Sequence, residues 1–363
     1  MARRSGRAPG TARGQDGGYR PTHRPTGYGR ESETGQGGRS GAMRWISKLA
    51  GAVMAAWSSL AAAETYPARG VRLINPFPPG SPVDFVARLA AEELQKELGQ
   101  FFIVENRPGA GGTIGANYVA KARPDGYTLL VTSASTQVIA PVVRAEMPYD
   151  PVRDFRPVSL VAQGPVLIVA HPSLPVTTLR ELAERARQSP ETIAYASSGT
   201  GTILHLAGEL FQERTGTKLL HVPFNGAVPA STALLVGQVQ VMFDSISNAA
   251  PQVRAGQIRA LAVMTPRRFT GLPDVPTVAE AGLPGLEFPA WIGIFAPANT
   301  PNEAVLTIER TLRQRLATPA MTERMLGAGL IPDLVGGAAL AAALPEQIRL
   351  VEGIASAAGV PKQ

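Results

Sequence analysis

Four short loops rich in glycine, serine and threonine are the segments of this sequence best suited to binding chemistry. They lie at Gly80-Ser81, 133–136, 197–201 and Asn225-Gly226. Each follows a β-rich run and precedes a helical pattern, so backbone N–H groups and the positive end of a helix dipole should be available there. Together with hydroxyl donors, this combination suits an anion such as a carboxylate. Taken alone, any one loop is more simply explained as a chain turn.

Catalytic and cofactor-binding patterns are missing from the sequence. There is no Gly-x-Ser-x-Gly elbow, no phosphate-loop lysine pattern, and no cysteine to serve as a thiol nucleophile or thiolate ligand. The glycine-rich segment 109–115 fails the dinucleotide spacing, because Ile114 stands where the third glycine is required. The four histidines form no histidine–carboxylate pattern with metal-ligand spacing. We therefore expect no catalytic residue, no cofactor and no metal.

For several polar and aromatic residues, the sequence is consistent with either a structural role or a ligand-binding role. Asp84 stands at the expected N-cap of a helix, but it could also hold a ligand's ammonium or hydroxyl group. Asp244, at the end of a predicted strand, has the same two interpretations. His205 follows the 197–201 loop on a helix and would either face a ligand or cap its own helix. Trp291 is interpreted as core beside a hinge rather than as a stacking platform.

The formal charge of +7 is confined to the beginning of the chain. Residues 1–42 carry eight arginines against three acidic residues, and residues 43–63 add two basic residues and no acidic one. The rest of the chain is therefore electrically balanced, which argues against a nucleic-acid partner. Residues 1–42 contain too few large apolar side chains to fold, so they are interpreted as a non-native or disordered leader. A basic arm that binds a partner is the alternative.

Residues 43–63 have the organisation of a secretory signal peptide. Arg44 and Lys48 precede a short apolar run, and Ala61-Ala62-Ala63 matches a signal-peptidase site. The run is too short for a transmembrane span. We predict cleavage before Glu64 and a periplasmic mature protein, with a retained signal anchor as the alternative.

Beyond residue 66, short β-rich runs alternate with helical stretches, which indicates an α/β fold with parallel sheets and crossover helices. The first strand is predicted at 71–75 and the next at 101–105 and 128–132. After 155–162 the chain is expected to cross into a second body, where the same alternation repeats. The predicted division assigns residues 64–165 plus 289–363 to lobe 1 and residues 166–288 to lobe 2.

The chain resembles a known family of receptors in five of its segments. Five segments, in this order, match the Bug-type periplasmic solute receptors of tripartite tricarboxylate transporters: 76–84, 104–112, 124–129, 261–263 and 272–282. The resemblance covers about residues 66–332. It implies a two-lobed, Venus-flytrap fold with two hinge crossovers. It also implies that a small organic acid or amino acid binds between the lobes.

Carried over by position, the resemblance implies a set of ligand-binding residues from both lobes. They are Phe77, Gly80, Ser81, Asp84, Ser133, Ser198, Thr200, His205, Phe224, Gly226 and Asp244.

Two of these positions depart from the family pattern. The first loop has Gly80-Ser81 where the family usually has Gly-Gly, and the second lobe has Phe224-Asn225-Gly226 where it often has Tyr-Arg-Gly. The first change adds a hydroxyl, and the second removes a phenol and a cation. Since Pro78 and Pro79 lack N–H groups, the donors expected in the first loop are the backbone of Gly80 and Ser81 and the Ser81 hydroxyl.

The predicted function is capture of a small carboxylate-containing metabolite for delivery to a tripartite tricarboxylate-type permease. The receptor is expected to be a monomer that performs no catalysis. A sensor that presents its ligand to a signalling partner and, less favoured, a periplasmic enzyme on the same scaffold are the alternatives. The sequence does not distinguish one ligand from another.

Overall fold

The structure, a computed structural model, describes residues 65–362. The predicted leader 1–42 and signal peptide 43–63 lie outside the described residues. Within them the chain forms eleven strands: β1 (Val71–Asn75), β2 (Phe102–Asn106), β3 (Thr128–Ser133), β4 (Phe155–Gln163), β5 (Val166–Ala170), β6 (Ala194–Ser197), β7 (Leu220–Pro223), β8 (Val241–Ser245), β9 (Arg259–Val263), β10 (Trp291–Pro297) and β11 (Ile331–Pro332).

The same residues form ten α-helices, which cover the faces of the strands. They are α1 (Pro82–Leu98), α2 (Thr113–Ala120), α3 (Ala140–Val143), α4 (Leu179–Gln188), α5 (Ile203–Thr215), α6 (Ala227–Leu235), α7 (Ile246–Arg254), α8 (Asn302–Leu316), α9 (Pro319–Gly327) and α10 (Gly337–Ala357).

The strands divide into two mixed sheets. The first has the order β11-β4-β10-β3-β1-β2 and the second the order β7-β6-β8-β5-β9. In the first sheet β1 is parallel to β2 and β3, whereas β10 is antiparallel to β3 and β4. In the second, β6 is parallel to β7 and β8, and β5 is antiparallel to β8 and β9. The predicted α/β class is confirmed. We refer to the first sheet with its helices as lobe 1 and to the second as lobe 2.

The chain passes twice between the sheets. Only Gly164 and Pro165 separate β4 of lobe 1 from β5 of lobe 2, and residues 264–290 return from β9 to β10. The two passages are hydrogen-bonded to each other, because the Gly164 amide donates to the Ala290 carbonyl at 2.6 Å. The crossing is therefore one narrow joint built from both connections.

Apolar strands place the core of lobe 2 around β5. All five residues of Val166–Ala170 are buried. Such a continuous aliphatic run is typical of a strand covered on both faces. Helices on either side supply the cover, and the buried faces of α4 and α5 follow the helical repeat in the sequence.

The N-cap of α1 lies three residues before the predicted one. Ser81, not Asp84, is the N-cap, and its Oγ accepts a hydrogen bond from the Asp84 amide at 3.2 Å. Pro82 follows at the first helical position, where its missing N–H costs nothing. Asp84 is therefore in the first turn, where a carboxylate is favoured by the helix dipole.

Helix α10 contacts both lobes. It packs on β4 and α3 of lobe 1 and on α5 of lobe 2. The Trp291 indole N–H donates to Gln347 Oε1 on this helix at 2.7 Å. The pattern analysis does not predict α10, since Gly336, Gly337 and the internal Pro345 are helix-breaking signals. The predicted lobe boundaries, which assign residues 289–363 to lobe 1, stay a prediction. Helix α10 lies in that range but contacts both lobes.

None of the helices found between residues 65 and 362 combines the length and the apolar character needed to cross a bilayer.

Gly208 in α5 is expected to be essential for the packing of lobe 2. A Cβ on Gly208 would lie 2.5 Å from Cε2 of Tyr195 and 3.2 Å from Cδ2 of Phe243. We predict that Gly208→Ala lowers the free energy of unfolding by about 1–3 kcal/mol, because the buried rings must shift. Urea denaturation measures this.

Gly353→Ala in α10 is the matched control, since nothing lies within 4 Å of the added methyl. It should raise the free energy of unfolding by up to about 1 kcal/mol through helix propensity. Equal or greater stability of Gly208→Ala would contradict the packing interpretation.

Candidate ligand-binding site

A cavity of about 200 Å³ lies between the two lobes. Its described lining contains no charged side chain. The lining residues are Phe77, Ser81, Pro82, Val83, Ser133, Ala134, Ser135, Gly164, Pro165, Ile203, Ser245, Ile246, Ser247, Ala290, Trp291, Ile292, Gly329 and Leu330. Serine hydroxyls and apolar side chains from both lobes therefore line one shared cavity.

The crossing between the lobes forms part of the cavity wall. Gly164, Pro165, Ala290 and Trp291 all line it. The Pro165 carbonyl accepts a hydrogen bond from the Ile246 amide at 3.0 Å, which ties the start of α7 to the joint. Any change in the angle between the lobes must therefore change the shape of the cavity.

Two helices, one from each lobe, begin at the cavity. Pro82 and Val83 open α1, and Ile246 and Ser247 open α7. The first N–H groups of a helix lack intrahelical partners and carry the positive end of its dipole. Pro82 has no N–H, and the Asp84 and Ile246 amides already donate to Ser81 Oγ and to the Pro165 carbonyl, so an anion would depend mainly on the two dipoles and on hydroxyl groups. Ser245, the N-cap of α7, makes no side-chain cap hydrogen bond to that helix. An anion placed in the cavity would be favoured by both helix ends.

Hydroxyl groups add further donors. Ser81 Oγ accepts from the Asp84 amide, which leaves its proton available to donate. Ser247 donates to Ser245 Oγ at 3.2 Å, so Ser245 also keeps a donatable proton. Ser133 lines the cavity at the end of β3. The predicted 133–136 loop is instead the start of a π-helical turn, Ser135–Ile139.

Asp84 lies behind the first loop and holds it in place. Its Oδ2 accepts from the Gly80 amide at 3.0 Å and from Arg88 Nε at 2.8 Å. Its Oδ1 accepts from Asn106 Nδ2 at 2.9 Å and from Asn75 Nδ2 at 3.3 Å. Burial raises the pKa of this carboxyl, but the hydrogen bonds from Arg88, Asn106 and Gly80 outweigh burial and bring the pKa to about 2. Both oxygens are thus engaged within the protein, and the Gly80 amide donates inward.

The 197–202 loop of lobe 2 is closed by its own hydrogen bonds. Ser198 Oγ donates to Thr202 Oγ1 at 3.1 Å, and Thr202 is the N-cap of α5. His205 is buried, and its Nδ1 accepts from the Gly201 amide at 3.0 Å. His205 therefore faces its own loop, and Thr202 rather than His205 caps the helix. Thr200 is exposed in the same loop.

Phe224 and Gly226 lie beside that loop. The Phe224 amide donates to the Ser197 carbonyl at 3.1 Å, and the Gly226 amide to the Phe224 carbonyl at 2.9 Å. Gly226 is the N-cap of α6 with φ of 112°, a conformation that favours glycine. Neither residue lines the cavity.

Asp244 is fully buried at the end of β8, directly before the cavity residue Ser245. Its oxygens accept from the Ser245 amide at 2.8 Å and from Asn248 Nδ2 at 2.6 Å. Burial raises the pKa of Asp244 to about 7, against the opposing effect of the hydrogen bonds from Asn248 and Ser245. The carboxyl supports the start of α7 from inside lobe 2.

Of the predicted residues, Phe77, Ser81 and Ser133 line the cavity. The other eight lie behind the lining or in the neighbouring loops of lobe 2, and a ligand-binding role for all eleven stays a prediction. Sequence reasoning missed Ser245 and Ser247. A sequence signal for these two serines was available, because they follow a strand and lie at the start of a helix, as Ser81 does.

Across residues 65–362, no group of three histidine, aspartate or glutamate side chains is arranged to hold a metal ion.

Comparison with known proteins identifies the relatives of the chain. The family model for the tripartite tricarboxylate transporter family receptor matches residues 86–339. The chain belongs to this family. Periplasmic binding protein BugD is 37% identical over 82% of this chain and 100% of its own, with a TM-score of 0.65.

Two further solved structures contain organic acids. An R. palustris protein solved with adipate is 36% identical, with a TM-score of 0.69 over 82% of this chain and 99% of its own. MatC from Rhodopseudomonas palustris, solved with malate, is 36% identical, with a TM-score of 0.64 over 80% and 99% of the two chains. The predicted family and its two-lobed binding-protein fold are confirmed.

Asp244 should make stability depend on pH. Its pKa is raised from 3.8 to about 7 on folding, so between these values the folded state keeps a proton that the unfolded state loses. Stability should therefore fall as pH rises through this window. We predict that Asp244→Asn removes this component, which is at most about 1.4 kcal/mol per pH unit. Urea unfolding at a series of pH values measures the difference.

Asp274→Asn, at an exposed position of lobe 2, controls for the loss of one carboxylate. If Asp244→Asn and the wild type show the same pH slope, Asp244 does not keep its proton in the folded state.

Proposed function

We propose that this protein is a periplasmic receptor that captures a small carboxylate between its lobes and delivers it to a tripartite tricarboxylate-type permease. The observation that carries the proposal is the cavity where α1 and α7 both begin, with hydroxyl donors and no charged side chain in its described lining. Such a site stabilises an anion through oriented dipoles and N–H groups.

The ligand class follows from the size and the walls of the cavity. About 200 Å³ is below the roughly 300–1,000 Å³ of sites for drug-sized ligands. Phe77, Ile203, Ile246, Trp291 and Leu330 supply apolar surface for a short carbon chain. Relatives solved with adipate and malate support a small dicarboxylate. Three or so charge-assisted hydrogen bonds, at about 1.5–3 kcal/mol each, are enough for roughly micromolar affinity.

Capture is proposed to proceed by closure about the crossing. Because the lining comes from both lobes, a ligand can make all of its contacts only when the lobes are together. The closed form is then favoured by these additional contacts. A permease would distinguish loaded from empty receptor by the angle between the lobes. We also propose that residues 43–63 direct export and are then cleaved. The receptor is proposed to act as a monomer.

Calorimetric titration tests the ligand class. Purified protein, unfolded and refolded to remove any copurified ligand, should bind adipate, malate or another small dicarboxylate with roughly micromolar affinity. The corresponding diamides should not bind, since they lack the charge that the helix ends favour. Binding of the diamides as tightly as the acids, or of no acid in a broad panel, would refute the proposal.

Serine-to-alanine variants test the location of the site. Ser133→Ala in lobe 1 and Ser245→Ala in lobe 2 should each weaken binding of the best dicarboxylate by about tenfold, because each removes a hydroxyl donor to a charged group. Ser356→Ala, at an exposed position of α10, is the control and should bind as the wild type does. Unchanged affinity in both cavity variants would place the site elsewhere.

A further inference from the structure

An exposed apolar strip lies on lobe 1, away from the ligand cavity. It consists of Phe101, Ile103 and Ile114, which are three of the eight large apolar side chains exposed in the described part of the chain. Their exposed fractions are 69%, 54% and 56%. Single exposed apolar side chains are common on protein surfaces, whereas a group of them indicates a contact surface.

The topology of lobe 1 leaves this strip uncovered. Strand β2 is the edge strand of its sheet, and Phe101 and Ile103 point to the same face because they alternate with the buried Phe102. Helix α1 covers the face to which Phe102 points. On the opposite face α2 packs on β1 and β3 and leaves β2 bare.

Ile114 of α2 lies on the same face as the two residues of β2. Arg72 is the β1 partner of Ile103 in the parallel register, and its Nη1 donates to the hydroxyl of Tyr118 at 2.7 Å. Tyr118 follows Ile114 by one turn of α2, and both line a groove with Arg72. The strip therefore runs from the bare edge strand to the start of α2.

A basic groove of about 690 Å³ borders the strip. Around the strip and the groove, five cationic side chains stand against two carboxylates, Glu105 and Asp125, which leaves a net charge of +3. The cations are Arg69, Arg72, Arg107, Lys121 and Arg123. Positive charge is thus concentrated beside exposed apolar surface.

Aromatic rings hold two of the guanidinium groups in place. Arg69 lies 4.2 Å from the ring centre of Tyr127, and Arg107 lies 4.0 Å from that of Tyr118. Such cation–π contacts keep the positive charge at the surface while the rings cover the stems of the side chains.

Two further cations are available to an outside anion. Among the described residues, no carboxylate lies within 4.0 Å of the Lys121 ammonium, and Arg123 reaches Asp125 only at 4.0 Å. Both side chains are exposed. They are therefore the cations of the groove that an anionic partner would contact first.

The charge and the position of the strip select among partners. The arginine-rich residues 1–42, or a second copy of the same face, would place cation against cation. A permease that senses the angle between the lobes must contact both of them, whereas the strip belongs to lobe 1 alone. From Arg72, β1 runs roughly 16 Å before it reaches the cavity residue Phe77, so closure leaves the strip unchanged. An anionic membrane surface combines negative charge with an apolar interior and matches both parts of the patch.

We propose that this strip and its cations dock the receptor on the periplasmic surface of a bilayer that contains anionic phospholipids. Phe101, Ile103 and Ile114 enter the headgroup region, and the cations contact the lipid phosphates. Docking is independent of lobe closure, so that empty and loaded receptors both stay near the membrane in which the permease lies. The inference rests on the export named in the proposed function, but not on the ligand.

Vesicle flotation tests the proposal. Protein purified after export is mixed with vesicles of phosphatidylglycerol or of phosphatidylcholine, and the fraction that floats is measured. The wild type should float with phosphatidylglycerol and be released in about 1 M salt, where the screening length falls to about 3 Å. Lys121→Glu with Arg123→Glu should lower the partition coefficient by about tenfold or more. Phe101→Ser with Ile103→Ser should lower it at unchanged charge, because less apolar area is inserted.

Matched double variants on other surfaces are the controls. Arg185→Glu with Lys218→Glu changes the net charge of the protein equally but on lobe 2, and both positions are exposed. Val228→Ser with Leu306→Ser removes apolar side chains that are 70% and 57% exposed elsewhere. Both controls should float as the wild type does. All variants carry the same N-terminus, established by mass spectrometry, so residues before the described chain contribute equally to each.

The outcomes separate this inference from the proposed function. Equal flotation of the wild type and the Lys121 and Arg123 double variant, with unchanged urea unfolding, would overturn membrane docking. Binding of a soluble polyglutamate peptide without flotation would assign the patch to an acidic protein and would also overturn it. Dicarboxylate binding should be the same in all of these variants, since none of the changed residues lines the cavity. Flotation as expected by a protein that binds no acid would contradict the proposed function alone.

Discussion

The joint between the lobes is the constraint on which the rest of the structure depends. Two chain passages meet there, joined by the hydrogen bond from Gly164 to Ala290, and the start of α7 is tied to it through Ile246 and Pro165. The joint is also part of the cavity wall. Because the same few residues connect the lobes and surround the cavity, the shape of the site and the angle between the lobes cannot vary independently.

The proposed anion would have no countercharge in the described lining of the cavity. Arginine or lysine at the site would bind many acids and would have to be desolvated with each of them. Helix ends and hydroxyl groups supply a fixed positive potential that is already organised before the ligand enters. The charged side chain of Asp84 acts behind the surface, where it holds the first loop through the Gly80 amide.

Local patterns predict much of the fold, because strands such as β1 and helices such as α5 depend on periodicity and caps close in sequence. Helix α10 could not be predicted in the same way, since Pro345 is tolerated only through contacts with distant elements. The site shows the same division. Ser81 and Ser133 are recognisable from strand and helix ends, whereas the inward role of Asp84 depends on Asn106, twenty-two residues away.

The shared contacts of α10 have a mechanical consequence. Two bodies joined by connections at a single joint can both bend and twist about it. Helix α10 lies against β4 on one side of that joint and against α5 on the other, and Trp291 is bonded to it. In the proposed closure, this third attachment away from the joint would resist twisting of one lobe against the other. The two helix ends would then return to the same alignment each time the lobes close.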